Sequence, residues 1–274
     1  MIDVSVLMPA IRVHNWERMY KSIEGSCQKY SFELILVSPF DLPESMANLP
    51  NVKLIKDFGH PTRAAQIGLL QCEGRLVYHC VDDALFYESA IDNAVAFTDE
   101  SLGEKDVVNM RYREGANFSG GELPAAFWWA HYHKDLAMLP GVHREWKISG
   151  HPLMKTNYLK SLGGWDCSFE YINHALHDLM FRIQTDGGRL HDSSTSATTC
   201  DHYGNRTVDH AAIHDAQTTV DKPRFDKMYS SPGVTHQRIK IPLNNWERTP
   251  DCWQRRFKGT RPTTYDEILT LNNN

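Results

Sequence analysis

Apolar residues fall in short, near-continuous runs through the first third of the chain, and stretches of helical periodicity separate them. Val4-Ser-Val-Leu-Met8 reads as a buried strand closed by Pro9. Trp16, Met19, Tyr20, Ile23 and Cys27 then recur at helical spacing, which predicts an amphipathic helix over 15–28. Phe32-Glu-Leu-Ile-Leu-Val37 is a second strand, stopped by Ser38-Pro39, and Val52-Lys-Leu-Ile55 a short third. A helix rich in Ala and Leu is predicted over 62–72, entered after Pro61, and Leu76 to Val81 is the fourth strand. Unbroken apolar strands alternating with helices predict an α/β fold, with a mostly parallel central sheet covered on both faces. In such sheets ligands bind beyond the carboxyl ends of the strands. Pro9-Ala10-Ile11, Ser38-Pro39 and Asp82-Asp83 all fall at that edge.

The pattern continues with a helix over 88–97 and a strand over 106–110. A Gly-rich stretch (115–121) and an aromatic block, Phe127-Trp-Trp-Ala-His-Tyr-His133, follow. After the turn at Gly163-Gly164, residues Ile172, Ala175, Leu176, Leu179, Met180 and Ile183 form a clean helical stripe that ends at Gly187-Gly188. From about residue 200 the chain turns polar, rich in His, Asp, Thr and Pro. It reads as one domain over 1–200 and an irregular C-terminal extension over 201–274 packed on the same domain, with Trp246, Trp253 and Phe257 as its apolar pins.

With 274 residues and 41% apolar composition the chain can bury a sizeable core. Its net charge of −5 is spread without a basic stripe, which argues against nucleic-acid binding. No apolar run approaches the roughly 20 residues of a membrane span, and the chain opens on a strand rather than a leader; a cytoplasmic, unprocessed protein is expected. Six scattered cysteines without a C-x-x-C pair indicate reduced core thiols. Asn117-Phe-Ser and Asn205-Arg-Thr fit the glycosylation pattern, as chance matches in that setting.

The strongest chemical signal is the acid pair Asp82-Asp83 at the end of the fourth apolar run. Carboxylates there suit a hard cation such as Mg²⁺ or Mn²⁺ bridging a diphosphate; the structural alternative is a polar strand terminus near a helix cap. Asp178 projects about 130° from the centre of its helix's apolar stripe. There it can act as a base toward an acceptor hydroxyl or pair with Arg182 one turn on. Among the histidines, none in a zinc signature, His202 is the candidate third metal ligand. The aromatic block over 127–132 can stack on a sugar or fill a core.

Taken in order, these elements resemble the family-2 type of nucleotide-sugar glycosyltransferases with the GT-A fold, over roughly residues 3–190. The resemblance rests on Val4-Ser-Val-Leu-Met-Pro9, on Pro61-Thr-Arg63-Ala-Ala-Gln66 with Glu73-Gly74, and on Val81-Asp82-Asp83 at the place of the D-x-D motif. Leu162-Gly163-Gly164-Trp165-Asp166 with Phe169 is similar to the G-G-F-D element, and Asp178-Leu-Met-Phe-Arg182 to the D-L-x-x-R end of the catalytic helix. It implies metal-dependent, inverting transfer from a nucleotide-diphospho-sugar to a hydroxyl on a glycan, lipid or protein. The implied nucleoside contacts are Ala10, Arg12, Ser38 and Asp41, with Arg63 and Asp82 toward the diphosphate. Asp83, Asp82 and His202 would hold Mn²⁺ or Mg²⁺, Asp83 being the favoured direct ligand. The family's acid pair on the catalytic helix falls on Ala175 and Leu176, so Asp178 becomes the implied base, followed by Glu170 and His177. That departure raises the alternative of a sugar-nucleotide or glycan binding protein without catalysis. A nucleotidyltransferase is disfavoured because no glycine follows Pro9 before Gly25.

Overall fold

The alternating faces of the first strand set the architecture. In β1 (Val4–Pro9), Val4, Val6 and Met8 enter one apolar cluster and Leu7 enters the other, the two-residue period of a strand buried on both sides. On the first side lies α1 (Val13–Ser26), contributing Trp16, Met19 and Ile23. On the second lies α2 (Pro61–Gln71), contributing Ala64, Ala65 and Leu69. β2 (Phe32–Ser38), β3 (Val52–Lys56) and β4 (Leu76–His79) complete a parallel half-sheet in the order β3-β2-β1-β4. The computed structural model describes residues 1–116, 126–128, 131–132, 147–201, 209, 211–229, 238–249, 254 and 256–273.

Beyond β4 the sheet becomes mixed. Its remaining strands are β5 (Ala84–Phe86), β6 (Val107–Ala116), β7 (Ala126–Trp128), β10 (Pro152–Lys155) and β11 (Leu190–Asp201); a separate two-stranded ribbon joins β8 (His131–Tyr132) to β9 (Lys147–Ile148). β10 runs antiparallel between β4 and β6, β11 pairs parallel with β6, and β5 closes the edge against β11. Helices α3 (Ala90–Ser101), α4 (Thr156–Ser161) and α5 (Ile172–Thr185) cover it. The predicted parallel core is thus present, and the differences lie in the second half. β6 runs six residues past its expected end, and β5, β10, α4 and β11 have no clear apolar pattern. β11 in particular reads Leu-His-Asp-Ser-Ser-Thr-Ser-Ala-Thr-Thr-Cys-Asp. Pairing with β6 orders it, helped by the bonds Asn109 Nδ2 to Asp192 (2.8 Å) and Arg111 N to Ser193 Oγ (2.9 Å).

The extension comprises α6 (Ala211–Ala216), a π-helical segment (Gln217–Asp221), α7 (Lys222–Tyr229), a 3-10 turn (Asn245–Arg248) and α8 (Tyr265–Asn273). It closes over both faces of the sheet. Phe225 and Tyr229 pack with Phe169 and Phe181 on the α2 side, and Phe257 and Ile268 join the α1 side. Trp246 is half-buried; Trp253 lies outside the described residues. Cys27, Cys72, Cys80, Cys167 and Cys200 are buried thiols outside any disulfide, and burial pushes those of Cys27, Cys72 and Cys80 up to about 12. Among the described residues no helix is long and apolar enough to cross a membrane.

Candidate active site

The loop after β1 and the acid pair after β4 are tied together at the carboxyl edge of the sheet. Strand-like bonds carry both segments past the strand ends: Ala10 N donates to Val37 O at 2.9 Å, and Cys80 N to Leu7 O at 3.1 Å. Asp82 then gathers the β1 loop. Its Oδ2 accepts from Ile11 N (2.7 Å), Arg12 N (2.6 Å) and Trp16 Nε1 (3.3 Å), and its Oδ1 from Arg12 Nη1 (2.6 Å). Asp83 follows with Oδ2 at 3.8 Å from the same Nη1. On its other side Arg12 donates from Nε to Asp209 Oδ2 (2.8 Å), which also accepts from the Tyr265 hydroxyl of α8 (2.9 Å). All four charged residues are buried. Burial alone would lower the Arg12 pKa, but Asp83, Asp82 and Asp209 hold it well above its usual range.

This arrangement divides the labour of the acid pair. Asp82 was expected to touch nucleotide and metal; instead, four protein donors engage both its oxygens, so it fixes the β1 loop against β4. Asp83 is thereby set at a defined place on the edge. Among the described residues no group of three or more His, Cys, Asp or Glu side chains is arranged to hold a metal ion. His202 lies outside the described residues; β11, which precedes it, ends beside the acid pair, since Cys200 pairs with Ala84 of β5.

The remaining sequence candidates occupy different settings. Ala10 is buried in the β1 loop. Ser38, also buried, uses Oγ to accept from Phe40 N (3.0 Å) and shapes the turn after β2. Asp41 projects into solvent and pairs with Lys56 at 2.8 Å. Arg63, expected to reach toward a diphosphate, is drawn the other way. It bonds Asp57 from Nε (3.1 Å), donates to Trp246 O and Thr249 Oγ1, and stacks on the Trp246 ring at 5.0 Å. The extension supplies three of those partners, which the local sequence could not indicate.

The Gly163-Gly164 element is a structural knot. Both glycines have positive φ, +88° and +74°, a region that side-chain-bearing residues rarely adopt. Gln66 of α2 donates to Gly163 O (2.9 Å) and Leu243 O (2.8 Å) and accepts from Trp165 N (2.8 Å). Buried Arg182 donates to Leu162 O and Gly164 O. A methyl on Gly163 would lie 2.0 Å from Ile241 O. Gly163→Ala is therefore expected to lower stability by more than about 2 kcal/mol, through strain at φ and displacement of the extension. Urea unfolding measures this, and an unchanged midpoint contradicts it.

Asp178 also differs from expectation. Its angle to the apolar stripe suggested an outward carboxylate, yet it is fully buried. Oδ2 accepts from Arg182 Nε at 2.8 Å, and Oδ1 from the Tyr229 hydroxyl and Arg238 Nη2. The side of α5 opposite its own stripe is covered by Tyr229 of α7 and by the Arg238 side chain. Asp166 shares Arg238 (2.6 Å) and caps Ser168 N (2.9 Å). Burial pushes Asp166 up, but Arg238 and the Ser168 N–H outweigh it and hold the carboxyl below its usual range.

Ala175 and Leu176, where the family carries its acid pair, are core residues of α5. Just before that helix, Glu170 crosses the start of α2. The Thr62 hydroxyl donates to Glu170 O (3.2 Å), and Glu170 N and Tyr171 N donate to the two oxygens of Asp221 (2.8 and 2.7 Å). α2 begins where the chain leaves β3, so the Glu170 backbone, bonded to Thr62, lies on the carboxyl side of the parallel strands. His174 and His177 flank this entry, packed on Phe225.

No family model and no curated protein matches the chain. Solved structures do. The TarS fragment 1–349 of S. aureus in complex with UDP superposes with a TM-score of 0.53 at 13% identity, over 99% of this chain and 90% of that one. The same fragment without UDP gives 0.52 at 13% identity, over 99% and 90%. The longer TarS structure gives 0.50 at 15% identity, over 82% of this chain and only 42% of that one, so the chain spans less than half of its length. The fold is that of the GT-A glycosyltransferases.

Within the GT-A frame, the edge built from Ala10, Arg12, Asp82 and Asp83 lies beyond the carboxyl ends of β1 and β4. Sequence reasoning found the acid pair from the apolar run before it. It missed Asp209, Tyr265 and Asp221, whose setting in a polar tail gives no periodic signal.

Proposed function

We propose that the chain is a nucleotide-sugar glycosyltransferase whose donor diphosphate lies against the Arg12–Asp83 edge. The observation that carries this reading is the Asp82 tie, which holds a buried acid at the carboxyl edge of the parallel half-sheet in a GT-A fold. Among the described residues the cluster sets three carboxylates (Asp82, Asp83, Asp209) against one guanidinium. Asp83, held beside this tie at the carboxyl edge, is a hard oxygen ligand of the kind that binds a divalent cation together with substrate phosphates. Asp83 would hold Mn²⁺ or Mg²⁺, which when bound would neutralise charge on the departing diphosphate.

Glu170 is the proposed base, taking the proton of the acceptor hydroxyl as the sugar carbon is attacked. It replaces Asp178, whose carboxylate is occupied by Arg182, Tyr229 and Arg238. A single displacement assisted by one base inverts the anomeric centre. The proposed acceptor is a hydroxyl of a glycan, lipid or protein.

A thermal-shift screen of UDP, GDP, CDP and dTDP with their sugars, with and without Mn²⁺, tests donor binding; UDP comes first because a TarS fragment was solved with it. Glu170→Gln is expected to lower Mn²⁺-dependent donor hydrolysis by about 100-fold or more at unchanged melting temperature. A second reading, a binding protein without turnover, draws support from the apolar Ala175 and Leu176. Donor binding without hydrolysis of any donor selects it.

A further inference from the structure

We infer that Asp221 is a positioning residue that fixes the Glu170 carboxylate for proton transfer. The inference rests on Glu170 being the base. Asp221 ends the π-helical segment Gln217–Asp221, a conformation that recurs at functional sites. It is fully buried, yet its two oxygens are directed at two successive backbone N–H groups, those of Glu170 (2.8 Å) and Tyr171 (2.7 Å). These N–H groups stand where the chain enters α5, the end of a helix at which negative charge is favoured.

The Glu170 residue is gripped on its other backbone group as well, since Thr62 of α2 donates to its carbonyl at 3.2 Å. Two further ties from the extension hold the preceding residues: Cys167 N donates to Asn245 Oδ1 (2.8 Å), and Arg224 Nη1 to Ser168 O. The segment from 167 to 171 is therefore fixed in a frame made by α2 and by three separate extension residues. Burial pushes the Asp221 carboxyl up to about 7, against the pull of the Tyr171 N–H and Arg224. A buried acid is an expensive way to satisfy two N–H groups if any chain path would serve. It is a good way to hold one peptide to within a fraction of an ångström, and a 1 Å misplacement of a reacting group can cost about 100-fold in rate.

The test is a double-mutant cycle on the full chain, following Mn²⁺-dependent hydrolysis of UDP-glucose, UDP-galactose and their N-acetyl counterparts. Asp221→Asn keeps one acceptor oxygen and turns an amide NH₂ toward the other N–H. It is expected to lower kcat by about 10- to 100-fold with donor KM within about twofold. In the Glu170→Gln background the same change is expected to have no further effect on kcat, because the group it positions is gone. Thr62→Val, which removes only the hydroxyl on the Glu170 carbonyl, is expected to show a smaller loss with the same non-additivity, and covers the case in which Asp221→Asn does not fold. An equal loss in both backgrounds makes Asp221 merely structural and overturns the inference. So does wild-type kcat in a folded Asp221→Asn whose Glu170→Gln counterpart is inactive; the base assignment survives that result. Turnover untouched by Glu170→Gln, or no turnover in the wild type, removes the base assignment and this inference together.

Discussion

Asp83→Ala is expected to abolish the Mn²⁺-dependent stabilisation by UDP, with a smaller loss of unliganded stability than Asp82→Ala, since Asp83 also faces the buried Arg12 guanidinium at 3.8 Å. A ligand at 100 times its Kd adds about 2.7 kcal/mol, a rise of roughly 5–10 °C for a domain of this size. The loss is therefore read directly in a thermal melt. The neighbouring Asp82→Ala is expected to behave in the opposite way. It strips acceptors from Ile11 N, Arg12 N, Trp16 Nε1 and the Arg12 guanidinium, leaving a buried cation with fewer partners, at a cost of about 3–5 kcal/mol. One carboxylate is read in ligand binding and the next in stability. An Asp83→Ala protein that keeps the metal-dependent shift removes the ion from this edge. An Asp82→Ala protein as stable as wild type removes the tie.

What the chain discloses about itself follows the same division. The β1 to β4 half-sheet was legible because β1, β2 and β4 are buried on both faces, and nothing else accounts for runs such as Leu34-Ile35-Leu36-Val37; β3 is half-buried and shows as a shorter apolar run. The carboxyl edge followed from that, and with it Asp82-Asp83. The partition between the two acids was not legible, because Asp82 is satisfied by backbone N–H groups about 70 residues earlier, and every residue has a backbone N–H. β11 escaped notice because its Ser and Thr residues carry little apolar periodicity; its order comes from β6. The roles of Asp209, Asp221, Tyr265 and Arg238 depend on how the extension folds back, a tertiary event without a local period. Arg63 shows the reverse case: its position in the sequence suits a diphosphate, and a distant tryptophan carbonyl and ring claim it.

Asp178→Asn separates the two roles this residue can have. A catalytic base changed to its amide loses about 10²- to 10⁴-fold in rate and keeps its stability. The geometry leads to the other outcome. Asp178 is fully buried between the guanidinium of Arg182, which also clasps the carbonyls of Leu162 and Gly164, and the Arg238 and Tyr229 side chains of the extension. Neutralising it leaves two cations facing an amide whose NH₂ opposes their own N–H groups. Breaking one partner of such a buried set costs about 3–5 kcal/mol, so the melting temperature should fall by about 10 °C. Arg238 would lose one of its two carboxylate partners, keeping Asp166, and the extension would be held less firmly on α5. Limited proteolysis should then degrade the extension faster than in wild type, while donor hydrolysis per folded molecule at low temperature stays within about threefold. A stable Asp178→Asn protein with a rate reduced 100-fold would return Asp178 to the chemistry and displace Glu170 from it.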